Sequence, residues 1–206
     1  MVVNSVEKLN RMFYSQDTIA IAKSLLGKTL VHEVEGIRIS GKIVETEAYL
    51  GVMDKAAHSY GGKKTKRVEV MYKEAGFSYV FMIYGMYYCF NVVTQLAGVP
   101  EAVLVRALDP LEGLDNMSFN RYKKKFNELT ASSIKNLTNG PGKLCNALQI
   151  DKSLNGEDLC SNRLYIEDGS DTLKIVTSKR IGIDYAEEAK DYLLRFHIEN
   201  NKYVSK

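Results

Sequence analysis

One segment limits the fold of this chain more than any other. Ile37 to Leu50 alternates as a half-buried strand does, and near its end it carries two acids. Successive strand side chains point to opposite faces, so Ile37, Ile39, Ile43, Glu45, Glu47 and Tyr49 are expected on one side. If that side faces the core, at least one carboxylate is desolvated, which is costly unless it is hydrogen-bonded or used in chemistry. A register break after Val44 would instead put both glutamates in solvent. Periodicity leaves the two readings open.

The neighbouring segments read as partners for that strand. Lys28 to Val34 precedes it across Glu35-Gly36, a hairpin turn, and Tyr79 to Ile83, Tyr87 to Thr94 and Ala102 to Leu108 are further β-branched or aromatic runs. Asp17 is placed to cap a short helix running to Leu26, with Ile19, Ala22 and Leu26 on one side and Gly27 as its stop. Helical spacing returns over Leu111 to Phe126, Lys143 to Ile150 and Tyr185 to Leu194, with one more strand over Leu173 to Thr177. The order predicts an α+β fold: one compact domain, 1–206, with a curved, mainly antiparallel sheet, flanking helices and a protruding β-hairpin. No repeat or Pro/Gly/Ser-rich linker divides the chain, and Pro100, Pro110 and Pro141 fall at element boundaries.

Composition excludes several classes. No apolar run approaches the roughly 20 residues that span a bilayer, and Met1 to Arg11 lacks the apolar stretch of a secretory signal, so a soluble intracellular protein is expected, cytoplasmic or at the nucleoid, nuclear in a eukaryote. Cys89, Cys145 and Cys160 form neither a disulfide framework nor a metal-ligand spacing, and no metal or cofactor is expected. The net charge of +3 is mildly basic, so the placement of cations matters more than their number. Four cations crowd Gly61-Gly62-Lys63-Lys64-Thr65-Lys66-Arg67, and Arg121 to Lys125 holds four more. Gly140-Pro141-Gly142-Lys143 leads into a helical pattern, where backbone N–H groups and a lysine suit a phosphate, yet it is not the Gly-x-x-x-x-Gly-Lys-Ser/Thr pattern of a nucleotide loop. Tyr79 to Thr94 reads as two apolar strands broken at Tyr84-Gly85-Met86, a turn that would expose an aromatic ring.

Several blocks occur together in one order: Val44-Glu45-Thr46-Glu47-Ala48-Tyr49-Leu50-Gly51, Ala56-Ala57-His58-Ser59, Gly61-Gly62, Ile83-Tyr84-Gly85-Met86-Tyr87, Arg106-Ala107-Leu108 and Gly140-Pro141. From about residue 15 to the C-terminus the chain resembles the alkyladenine (3-methyladenine) DNA glycosylase family. The resemblance implies a monofunctional repair enzyme that flips damaged purines of the 3-methyladenine, 7-methylguanine, hypoxanthine and 1,N6-ethenoadenine class out of double-stranded DNA and hydrolyses the N-glycosidic bond, leaving an abasic site. It makes Glu47, not Glu45, the base that activates water, with Arg106 orienting it. A carboxylate suits an oxocarbenium-like centre because it takes water's proton and stabilises positive charge on the sugar.

The same resemblance implies a base pocket in which Tyr49, His58 and Phe81 sandwich the purine while Met86, Asn91 and Leu104 line it. Phe81 stands where mammalian members carry tyrosine, so stacking survives and a hydroxyl contact is lost. Electron-rich rings also suit purines made cationic by alkylation. Tyr84 takes the role of a wedge inserted where the base leaves the stack, Asn91 stands near position 2 of the purine to exclude guanine, and Lys63, Arg121 and Lys143 contact the backbone. A monomer is the default. Two alternatives stay open on the residues alone: a small glycoside hydrolase or nucleosidase using Glu45 and Glu47 as an acid/base pair, and a non-catalytic nucleic-acid-binding module. Same-face neighbours lie about 6.5–7 Å apart, which permits the first, although a neutral sugar needs no phosphate grip.

Overall fold

The computed structural model describes residues 7–169 and 172–205, so most of the Met1 to Arg11 segment lies outside it. The chain enters through α1 (Arg11–Tyr14) and α2 (Thr18–Ser24), the second capped as expected by Asp17, whose carboxylate accepts from Ala20 N at 2.9 Å. β1 (Thr29–Val34) and β2 (Ile37–Tyr49) form the anticipated hairpin. β3 (Ser78–Ile83) and β4 (Tyr87–Thr94) form a second one, and β5 (Glu101–Glu112) lies beside β4. After α3 (Leu114–Tyr122), α4 (Ala131–Lys135) and α5 (Pro141–Ala147) come β6 (Leu164–Glu167), β7 (Ile175–Ser178) and β8 (Arg195–Ile198). All described pairings are antiparallel, in the order β3-β4-β5-β2-β1-β6, with β8 joining both β2 and β7. Strand β2 organises the sheet: its first half pairs with β1, and Glu45, Thr46 and Glu47 pair with β8 instead.

Two bulges decide which way the acids point. Ile43 pairs with Leu108 and Glu45 with Ala107, which leaves Val44 as an extra residue in β2; Thr46 then pairs with Val105, which leaves Arg106 extra in β5. An extra residue shifts all later alternation by one. Before the bulge, Ile39 and Ile43 face the main core under α2; after it, Ala48 faces that core and Thr46 donates its hydroxyl to Ala22 O at 2.7 Å. Val44 packs with Ala107 and Tyr203 in a separate cluster. Glu45 and Glu47 therefore leave the face of the isoleucines, contrary to the single-face expectation, and the register breaks after Val44. They do not reach solvent. Both are 0% exposed, because residues 180–183 and the C-terminal segment cross over this second face.

Two helical expectations shrink. Leu111 to Phe126 divides, since β5 continues through Pro110 to Glu112 and Gly113, at φ 70, turns the chain so that α3 begins at Leu114. Tyr185 to Leu194 holds only a 3-10 turn, Glu187–Asp191. Its apolar spacing buries Ala186 and Ala189 beside Ala56, Ile183 and Tyr49, and the chain then extends so that Leu194 O accepts from Ala48 N. No described helix is long and apolar enough to cross a membrane.

Candidate active site

The second face of β2 carries a network of buried charge. Arg106, thrown onto that face by its bulge, spans both acids: its Nε donates to Glu45 Oε1 at 3.0 Å and its Nη1 lies 3.2 Å from Glu47 Oε1. The acids then differ in what else holds them. Glu45 also accepts from Arg195 Nε at 2.7 Å, Ser205 Oγ at 2.8 Å and Ser205 N at 2.7 Å. Burial pushes its carboxyl up, but Arg106, the Ser205 amide and Arg195 outweigh that and hold it below the usual carboxylate range. Glu45 is held by four donors. Glu47 accepts from Ile181 N at 2.8 Å on Oε1 and from the Tyr49 hydroxyl at 2.8 Å on Oε2.

Tyr49, Arg106 and Ile181, the three groups that hold Glu47, also line a cavity of about 550 Å³. Of the residues expected there, His58, Phe81, Asn91 and Leu104 line it as well. Phe81 meets His58 edge-on at 4.5 Å between ring centres, and Asn91, buried, donates from Nδ2 to Tyr79 O at 2.9 Å. Met86 differs from expectation. It sits two-thirds exposed on the hairpin turn, outside the cavity wall, because the turn carries it away from the pocket face of β4. Tyr84 is 85% exposed at that tip, with φ 51 ahead of Gly85 at φ 69. A left-handed backbone is strained for a bulky aromatic residue, and here it presents the ring to solvent.

Sequence reasoning missed several wall and support residues, Ile181 among them. Tyr79 was legible, since it lies two positions before Phe81 on the same strand face; its hydroxyl lies 2.9 Å from His58 Nδ1. Arg67 belongs to the basic loop and, though exposed, lines the cavity. Burial, and then the charge of Arg67, lower His58 to about 4, so its imidazole is neutral at physiological pH. Arg180 and Asp54 gave no local signal. Arg180 is buried and grips Asp54 with both Nη atoms, at 2.5 and 2.9 Å, while donating to Ala48 O and Ala189 O, and its guanidinium lies 4.7 Å from the centre of the Tyr49 ring.

The cations expected to face a nucleic acid are differently placed. Lys63 is exposed beside the cavity loop. Lys143 is drawn into the fold, donating to Asn136 Oδ1 and Asn139 Oδ1 at 2.9 and 2.8 Å, and burial, together with neighbouring Arg121, lowers its pKa. Arg121 donates to Asn136 O at 3.3 Å, so the two cations share one asparagine. Pro141, at the start of α5, reaches the cavity wall, and Gly142 packs against Tyr87 of the hairpin.

The site thus joins a buried carboxylate behind an aromatic cavity, an exposed aromatic hairpin tip and nearby cations on one curved antiparallel sheet. The family model described as Methylpurine-DNA glycosylase (MPG) matches residues 12–202, and the chain belongs to that family. It is a DNA glycosylase, a hydrolase of DNA repair acting on DNA. Among its relatives, a Desulfitobacterium hafniense (strain Y51) protein that bears the name of a 3-methyladenine DNA glycosylase is 62% identical over 201 residues, covering 97% of this chain and 99% of that protein. A Clostridium novyi (strain NT) protein with the same name is 60% identical over 201 residues, covering 98% and 100%.

Proposed function

We propose that the enzyme hydrolyses the N-glycosidic bond of damaged purines of the 3-methyladenine, 7-methylguanine, hypoxanthine and 1,N6-ethenoadenine class, with Glu47 activating the attacking water. The observation that carries this reading is the asymmetry of the two acids. A carboxylate offers about four lone-pair positions. Among the described residues, donors reach Glu47 twice on Oε1 and once on Oε2, so Oε2 retains a position for water beside the cavity. Glu45 is unsuited to act as a partner acid, because Arg195 and Ser205, which hold it besides Arg106, lie outside the cavity wall, and its donors hold its pKa down.

Water attacks the sugar C1′ and gives its proton to Glu47; the C1′–N bond breaks with its electron pair on the base, and the product is an intact abasic strand. Arg106 holds Glu47 in place. The purine reaches C1′ attack geometry only when unstacked, and the exposed ring of Tyr84 is suited to fill the gap it leaves. Tyr49, His58 and Phe81 hold the extruded base, Leu104 lines the wall, and Asn91, tied to Tyr79 O, stands against the exocyclic amino group of guanine. Lys63, Arg121 and Lys143 serve the phosphate backbone, and the enzyme works as one domain and a monomer. Glu47→Gln is the test. Base release in single-turnover assays should fall by about 10²–10⁴-fold, with lesion binding within a few-fold of wild type. Wild-type turnover in that variant, with Glu45→Gln inactive, would reverse the assignment.

A further inference from the structure

We propose that Arg67 tunes the cavity against cationic purines, so that the enzyme favours neutral lesions such as hypoxanthine over purines carrying a ring-nitrogen methyl cation. This rests on reading the cavity as the base pocket. Arg67 is exposed like Lys63, Lys64 and Lys66 of the same loop, but it lines the cavity and its guanidinium lies 5.2 Å from the centre of the Phe81 ring. Its charge is felt by the Tyr79 hydroxyl and by His58. Across the site, Arg180 holds the Tyr49 ring in the same way, at 4.7 Å. Two of the three rings that would sandwich the base therefore already carry a guanidinium.

That arrangement runs counter to the expectation that electron-rich rings recruit alkylated, cationic bases. The attraction of a ring for a cation comes from its quadrupole, and a ring already facing one cation offers less to a second, while the two cations repel at the cavity rim. A neutral purine meets no such penalty. It stacks on the same rings, and the N–H fork of Arg67 at the cavity edge offers donors to a base rich in acceptors, as hypoxanthine is with O6 and N7. Arg180 is buried and braced by Asp54, so its contribution is constant; Arg67, at the exposed rim beside Tyr79, sets the balance. Arg67 is a specificity-determining residue and takes no part in bond breaking.

Single-turnover rates and half-saturation concentrations decide the matter, measured on one duplex sequence carrying either hypoxanthine or 7-methylguanine. Arg67→Gln should raise the 7-methylguanine-to-hypoxanthine ratio of efficiencies by about tenfold, the scale for removing one of two charges a few ångströms apart at a partly exposed site. Arg67→Lys keeps the charge and should hold the ratio within about threefold of wild type. An unchanged ratio in Arg67→Gln overturns the proposal, and so does an equal loss on both duplexes, which is the signature of a phosphate contact. A wild type that releases neither base, in a protein that still binds the duplex, refutes the base-pocket reading itself and this inference with it.

Discussion

Replacing Asp54 by asparagine tests the support beneath the site. Asp54 is 2% exposed and accepts four hydrogen bonds, from Leu50 N and Ala56 N at 3.0 Å and from the two Nη atoms of Arg180. Asparagine keeps the shape and one acceptor oxygen. It removes the negative charge and turns an N–H₂ group toward a guanidinium that has no exit to water, since the Arg180 side chain is 0% exposed. Removing one member of a buried pair typically costs about 3–5 kcal/mol, because the other charge stays buried and uncompensated. For a domain of this size each kcal/mol moves Tm by about 2–4 °C, so a fall of about 6–20 °C is expected in thermal unfolding followed by circular dichroism. Activity should suffer too, at temperatures where the variant is folded, because Ile181, next to Arg180, donates its N–H to Glu47. Asp54→Asn combined with Arg180→Met should recover part of the lost Tm, since no charge is then stranded. A Tm within 2 °C of wild type for Asp54→Asn alone would refute this account of the pair.

Tyr84→Ala should slow single-turnover release of a base that must be extruded from duplex by about tenfold, the scale of about 1–3 kcal/mol of aromatic stacking, and equal rates in variant and wild type would remove the wedge. His58 is held neutral in the fold, with its pKa lowered from 6.5 to about 4, so the unfolded chain takes up a proton there before the folded one does. Its contribution to stability is thus full above about pH 6.5 and is lost as pH falls toward 4; allowing for partial exposure of the ring, the loss is about 1–2 kcal/mol. His58→Gln should flatten the decline of Tm over that window, and a decline as steep as wild type's would show that other groups cause it.

Much of the framework was legible locally. The turns at Glu35-Gly36 and Tyr84-Gly85, the Asp17 cap and the strand alternation around them depend on residues a few positions apart, so their spacing alone determined β1 to β5 and the exposed hairpin tip. The motif order pointed to the family, to Glu47 and Arg106, and to Tyr49, His58, Phe81, Asn91 and Leu104 of the cavity wall. The direction of the acids was another matter. Alternation predicts a face only while pairing is regular, and the extra residues Val44 and Arg106 become visible only when β2 meets β5. What covers the turned-out face is equally distant: Ile181 reaches Glu47 across 134 positions and Ser205 reaches Glu45 across 160. The same holds for Arg67, which reads as one more phosphate cation until folding sets it against Phe81, and for Arg180, whose partner Asp54 is 126 positions away. Whether a charge is solvated, paired or aimed into a cavity depends on the chain brought over it from elsewhere, and only the tertiary structure decides that.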